Sequence, residues 1–256
     1  MIIESKDNKI IKYCLKLQDS KFSNQESKAL VESPKVIKDI IDNNIPIEYI
    51  LSTSTAYNKY NNLINFNNYQ RFEISDKLAN LISDTETTTG IFAVVNTKSD
   101  YILPNNKKLL VLDNLQDPSN LGAIFRSAVA FDFNNIVLIN CCHPYSMKVT
   151  RTSMANNFKC NIWKTNKETF IKYAKDSNLH LISCDMNGNN IKNSRPNFNN
   201  FAIIIGNEGQ GISKELQSVS NETIKIPMND CVESLNASVS AGIIMFHYNN
   251  IEKEGK

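Results

Sequence analysis

No apolar run in this chain approaches the roughly 18 residues that a membrane-spanning helix requires. The opening Met1-Ile-Ile-Glu-Ser-Lys-Asp7 is charged at once, with no apolar stretch behind it. Export and membrane insertion are therefore not expected, and the expected compartment is the cytoplasm. Charge of one sign is also lacking. The formal net charge is +2, with 12 basic and 12 acidic residues up to position 98 and 16 and 14 beyond it. That balance excludes a polyanionic tail and a basic arm, so any RNA partner must be held by local patches. The six cysteines, Cys14, Cys141, Cys142, Cys160, Cys184 and Cys231, include no C-x-x-C spacing and read as reduced core thiols. Neighbouring side chains at a strand end point apart, so Cys141, Cys142 and His143 are not expected to bind metal. Neither G-x-G-x-x-G nor Gly-Lys-Ser/Thr occurs, which excludes a dinucleotide fingerprint and a phosphate loop.

What is present is enough apolar residue, 41% of 256, to bury a substantial core in one large or two ordinary domains. Residues 8–18 read as an amphipathic helix, with Ile10, Ile11, Cys14, Leu15 and Leu17 inward and Lys9, Lys12 and Lys16 outward. A strand at 29–32 leads to Ser33-Pro34, an N-cap with proline at the first helical position, followed by the stripe Val36, Ile37, Ile40, Ile41. Strands at 47–51, 71–74 and 90–95 and a helix at 75–82 complete a small α/β unit, residues 1–98. Residues 99–108 have the composition of a linker. From 109 to 256 strands and helices alternate: strands at 109–113, 135–140, 161–164, 179–184, 201–205 and 223–226, helices at 120–131, 146–157, 166–177, 212–218 and 234–248. This is the pattern of a parallel α/β sheet, whose ligands sit outside the carboxyl ends of its strands.

That rule selects three stretches. In Asp117-Pro-Ser-Asn-Leu-Gly-Ala-Ile-Phe-Arg126, a buried stripe of Leu121, Ile124, Phe125, Ala128 and Val129 leaves Gly122 and Arg126 on another face. In the second, the apolar strand 201–205 runs into Gly206-Asn-Glu-Gly209 and Gly211, where glycines allow positive φ and close approach of a ligand to backbone amides. The third follows Ile226-Pro-Met. Pro227 ends a strand, Ser234 is placed as an N-cap, and Leu235, Val239, Gly242/Ile243 and Phe246 have the spacing of a buried helix face.

Together, in this order, the three stretches resemble the motifs of the SpoU (TrmH-like) RNA 2′-O-methyltransferases. Leu30-Val-Glu-Ser-Pro-Lys-Val36 and Ser83-Asp-Thr-Glu-Thr-Thr-Thr-Gly-Ile91 resemble that family's small substrate-binding domain, so the resemblance covers nearly the whole chain. It implies a deep trefoil knot from about residue 108, an exception to the rule against threaded chains. It implies S-adenosylmethionine held largely by backbone groups at Gly206, Ile226 and Leu235, no metal, and a homodimer. It places Asn120, Arg126, Glu208, Ser234 and Asn236 in the active site. Arg126 there stabilises a developing alkoxide and grips the adjacent phosphate, since guanidinium barely deprotonates. Ribosomal RNA is favoured over transfer RNA as substrate. The alternatives are a transfer RNA 2′-O-methyltransferase and a non-catalytic RNA-binding or ribosome-assembly protein of the same fold.

Overall fold

The computed structural model describes residues 2–98, 108–195, 200–229 and 231–254. The expected linker, apart from Lys108, lies outside them. Two compact units are present: one runs through the described residues up to 98 together with His143–Phe158, the other takes 108 to Cys142 and the described residues from Lys159 onward.

The first unit is built from β1 (Ile2–Ile3), α1 (Lys9–Lys16), α2 (Ser20–Glu26), β2 (Lys28–Glu32), α3 (Pro34–Asp42), β3 (Ile47–Ser52), α4 (Ser54–Tyr60), β4 (Arg71–Ile74), α5 (Asp76–Ile82) and β5 (Ile91–Asn96). Its five-stranded sheet has the order β1-β4-β3-β5-β2, with β5 antiparallel to both neighbours and the other pairs parallel. Asn8, Asp19, Thr53 and Ser75 each accept a backbone N–H at the start of a helix. Ser33 does not cap α3 as expected. Its φ is 118° and its side chain makes no capping bond, so α3 starts on Pro34, whose missing N–H needs no partner. Beside it the buried Glu32 carboxylate accepts from Ser83 Oγ at 2.7 Å, Thr88 Oγ1 at 2.8 Å and Thr89 N at 3.0 Å, fixing the 83–90 loop. α1 buries Ile11 and Cys14, and burial pushes the Cys14 thiol up to about 12.

The second unit opens with β6 (Lys108–Asp113), α6 (Pro118–Ala130) and β7 (Asn135–Ile139). The chain then supplies α7 (Met147–Ser153) to the first unit. Met147 joins the core of Leu30, Leu51 and Phe92, and Arg151 forms a forked ion pair with Asp84 at 2.7 and 3.3 Å. β8 (Asn161–Thr165), α8 (Lys167–Asp176), β9 (His180–Asn190), β10 (Phe201–Ile205), α9 (Lys214–Val219), β11 (Glu222–Lys225) and α10 (Ala237–Glu254) complete the second unit. All strand pairs in its six-stranded sheet are parallel, in the order β11-β9-β10-β6-β7-β8. Every residue of β10 is buried, as the unbroken apolar run requires of a strand covered on both faces.

Helix α10 departs from expectation twice. It starts at Ala237 rather than Ser234, because Asn236 is the residue that caps it: Asn236 Oδ1 accepts from Ser238 N at 2.9 Å and Val239 N at 3.4 Å. Its buried face is Ala237, Ala241, Ile244, Met245 and Tyr248, whereas Val239, Ile243 and Phe246 are 49%, 39% and 52% exposed. The helical period is as expected, but the sequence offers two apolar faces and the larger ring, Tyr248, goes inside. On α6, Val129 is only half-buried, while Asn120 and Gly122 join the buried face.

Candidate active site

The loops after β6, β7 and β10 are tied together by asparagine side chains. Asn207 Oδ1 accepts from Gly209 N at 2.9 Å and Gln210 N at 3.1 Å, while Asn207 Nδ2 donates to the Asn114 carbonyl at 3.0 Å. Asn114 Oδ1 in turn accepts from Asn140 Nδ2 at 2.8 Å and Gln116 Nε2 at 3.1 Å. The backbone N–H and C=O groups of Asn207 and Gly211 pair in both directions, at 3.0 and 2.9 Å. This tight closure changes the reading of Gly206. A side chain there would place Cβ 2.3 Å from the Gly211 carbonyl carbon and 2.4 Å from Ile212 N, so the space is filled by the protein's own backbone rather than left for a ligand. Gly211, at φ +68°, is the glycine that satisfies a left-handed turn.

Next to this loop lies a cavity of about 770 Å³ at the carboxyl ends of β9, β10 and β11. Gly206, Ile226 and Leu235 all line it, as do Glu208 and Ser234. Ile205, Ile244 and Met228 add apolar wall, and Asp185, Glu208 and Glu233 put carboxylates around it.

At its rim a hydrogen-bonded chain joins the three sequence stretches. Asn236 Nδ2 donates to Asn120 Oδ1 at 2.9 Å, and Asn120 Nδ2 donates to Glu208 Oε1. The direction follows from the end member. An ionised carboxylate only accepts, so Glu208 turns the Asn120 amide nitrogen toward itself, which leaves Asn120 Oδ1 to accept from Asn236. The Asn236 oxygen is then free to cap α10. Glu208 thus meets Asn120 and not Arg126. Arg126 is exposed on α6 and makes no hydrogen bond or ion pair with the described residues, and Ser234 is an exposed residue of the cavity wall.

Cys142 lies near these carboxylates. Burial first, then the negative charge of Asp117, pushes its thiol up to about 11, and Cys141 is held at about 12 mainly by burial. Both are neutral thiols at physiological pH. Cys141 Sγ donates to the Leu112 carbonyl at 3.2 Å, while the His143 ring lies 3.1 Å from Ser23 Oγ. No group of three or more metal-ligating side chains occurs among the described residues.

The residues missed from sequence are Cys184, Asp185 and Met186, which line the cavity from within β9. The carboxyl-end rule, applied also to the strand at 179–184, would have found them.

Residues 107–246 match the SpoU rRNA methylase family, and residues 8–93 match the MRM3-like substrate binding domain. The chain is 25% identical over 259 residues to the Bacillus subtilis (strain 168) protein named 23S rRNA (guanosine(2553)-2′-O)-methyltransferase RlmP, covering 96% of this chain and 98% of that protein. It is 32% identical over 143 residues to a Borreliella burgdorferi protein named uncharacterized tRNA/rRNA methyltransferase, covering 55% of this chain and 63% of the relative. The crystal structure of an AdoMet-bound rRNA methyltransferase from Sinorhizobium meliloti has the same fold, with a TM-score of 0.81 at 21% identity over 98% of each chain.

Proposed function

The chain belongs to the SpoU rRNA methylase family and is an S-adenosylmethionine-dependent RNA 2′-O-methyltransferase; we propose that it methylates ribosomal RNA at the cavity and amide chain described above, in the cytoplasm and as a homodimer. The observation that carries this reading is the Asn236–Asn120–Glu208 chain at the rim of a ligand-sized cavity.

The cavity fits the methyl donor. Its volume lies within the range of about 300–1,000 Å³ typical of small-ligand sites. Ile205, Ile226, Leu235 and Ile244 suit a purine, and the carboxylates suit a cation. When bound, S-adenosylmethionine supplies an electrophilic methyl group on a sulfonium. The protein's share of the work is orientation for an in-line displacement and stabilisation of charge on a poorly acidic hydroxyl. Backbone groups at Gly206, Ile226 and Leu235 hold the donor. Asn120 and Asn236, locked in direction by Glu208, present fixed amide dipoles toward the ribose, and Ser234 offers a hydroxyl beside them. Arg126, with no partner among the described residues, is available to the RNA phosphate and the developing alkoxide. The proton passes to solvent or phosphate.

We assign RNA binding to residues 1–98, catalysis to 109–256 and a deep trefoil knot to the latter. The match of 8–93 to a substrate-binding domain and the all-parallel sheet order support these assignments. A second copy is the occupant we assign to the exposed stripe Val239, Ile243 and Phe246, whose last ring already packs edge-on against Phe131.

The test is incubation with methyl-labelled S-adenosylmethionine and separate ribosomal and transfer RNA, followed by mapping of 2′-O-methyl positions. Label confined to transfer RNA would reassign the substrate. Absence of label from both, with no heat of donor binding, would leave a non-catalytic RNA-binding protein.

A further inference from the structure

One wall of the cavity comes from an irregularity in the sheet. Along the β9–β11 pair, Ile182 faces Glu222 and Ser183 faces Thr223, yet the next two partners are Asn189 with Ile224 and Asn190 with Lys225. While β11 advances one residue, β9 advances six, so residues 184–188 bulge out of the ladder. Such bulges re-aim side chains and gather beside active sites. This one is closed tightly: a Cβ on Gly188 would lie 2.5 Å from the Ile224 carbonyl carbon, so the strands touch backbone to backbone where the bulge rejoins. The result is that Cys184, Asp185 and Met186 line the cavity instead of alternating across the sheet.

Resting on the methyltransferase reading above, we propose that Asp185 is a donor-binding residue, its carboxylate accepting the two vicinal hydroxyls of the S-adenosylmethionine ribose. Asp185 Oδ1 accepts from Asn187 N at 2.9 Å, and Oδ2 accepts from Gln217 Nε2 at 3.4 Å. Each oxygen is thereby held in place with a lone pair left over. Two adjacent acceptors suit two adjacent hydroxyls, as in other nucleotide sites where an acidic residue takes the ribose. The geometry of the reaction separates this end from the other carboxylates: the methyl group must reach the rim where Glu208 and Asn120 stand, which leaves the diol for the wall formed by the bulge.

The experiment is calorimetric titration of S-adenosylhomocysteine and its 2′-deoxy and 3′-deoxy analogues into the full-length wild-type protein, Asp185→Asn and Asp185→Ala. Loss of a hydrogen bond to a charged group corresponds to roughly 10- to 100-fold in Kd. The wild type should lose about that factor when either hydroxyl is removed, and Asp185→Ala should bind the parent ligand weaker by a similar factor while no longer discriminating the deoxy analogues. Equal affinity of the wild type for all three ligands would overturn the proposal, and that arm needs no variant to fold. So would a variant that keeps full discrimination. Tight binding by the wild type with no effect of Asp185 removes only this assignment, whereas no heat with the wild type removes the methyltransferase reading as well.

Discussion

Replacing Gly206 by alanine tests whether the glycine loop is shaped by its own backbone. The new Cβ would meet the Gly211 carbonyl carbon at 2.3 Å, the Gly211 oxygen at 2.4 Å and Ile212 N at 2.4 Å. All three are main-chain atoms, so no rotamer change relieves the clash. Nor can the opposing segment retreat easily, because Ile212 is buried and Ser213 N donates to Asp113 Oδ2 at 2.7 Å. Overpacking of this kind costs about 1–3 kcal/mol, and loss of the paired Asn207–Gly211 bonds adds about 1 kcal/mol each. A total of about 3–5 kcal/mol lowers Tm by roughly 6–20 °C for a domain of this size. The neighbouring glycines are internal controls. Alanine at Gly211 enters open space and meets only the strain of φ +68°, about 1 kcal/mol partly offset in the unfolded chain. Alanine at Gly209 makes only an ordinary 3.6 Å contact with Asn207 Oδ1, so it should be nearly neutral. Calorimetric melts of the three variants should rank Gly206→Ala well below Gly211→Ala, and Gly211→Ala below Gly209→Ala. Equal losses at 206 and 211 would show that conformation rather than steric exclusion governs the loop and refute the reasoning.

Arg126→Ala should lower turnover by about 10²–10³, the usual loss for one electrostatic contact to a transition state, while donor binding by calorimetry stays at the wild-type value; near-native turnover would remove Arg126 from the chemistry. Asn120→Asp sets a second carboxylate against Glu208, so the pair should retain a shared proton and activity should shift toward lower pH, where that proton is bound; an unshifted pH–rate profile would contradict the chain as drawn. Phe246→Glu puts a charge in the exposed stripe of α10 and should lower the sedimentation coefficient relative to the wild type if the proposed homodimer forms through this face; identical sedimentation of the two proteins would remove the stripe from that proposal. Alkylation of Cys142 should be slow at neutral pH and rise about tenfold per pH unit up to about 11, as mass spectrometry of the labelled peptide would report; half-maximal reactivity near pH 8.5 would mean the thiol is not buried as described.

Much of the fold was legible because the central strands of the second unit, β6, β7 and β10, are short apolar runs bounded by polar turns, as at Phe201–Ile205, and because helix starts such as Ser75 carry their cap in the sequence. The short β1 and the polar helix α2 were not: two residues have no period, and Ser-Lys-Phe-Ser-Asn-Gln-Glu has no apolar stripe. Placement of α7 was hidden for a different reason. Local patterning gives a helical segment near 146–157 but not that Met147 joins a core built from Leu30, Leu51 and Phe92, since tertiary partners are not written in spacing. On α10 the period was readable and the face was not. Val239, Ile243 and Phe246 form an apolar stripe as regular as the buried one, and periodicity cannot distinguish a core face from one that a second copy would cover.

The candidate site shows the same division between what spacing specifies and what only packing decides. Asn120, Glu208 and Asn236 were singled out by the resemblance of their three stretches to the family motifs, but their order in a chain was not, because it depends on a carboxylate that can only accept. That polarity has a structural consequence. With its nitrogen committed to Asn120, Asn236 has its oxygen free for Ser238 N and Val239 N, and α10 begins there instead of at Ser234. The residue that faces the proposed ribose therefore also fixes the first turn of the helix whose far end carries Phe246. Glu208 reaches that turn through two amides, so the electrostatics of the cavity rim and the start of the exposed α10 stripe are parts of one hydrogen-bonded structure rather than separate features.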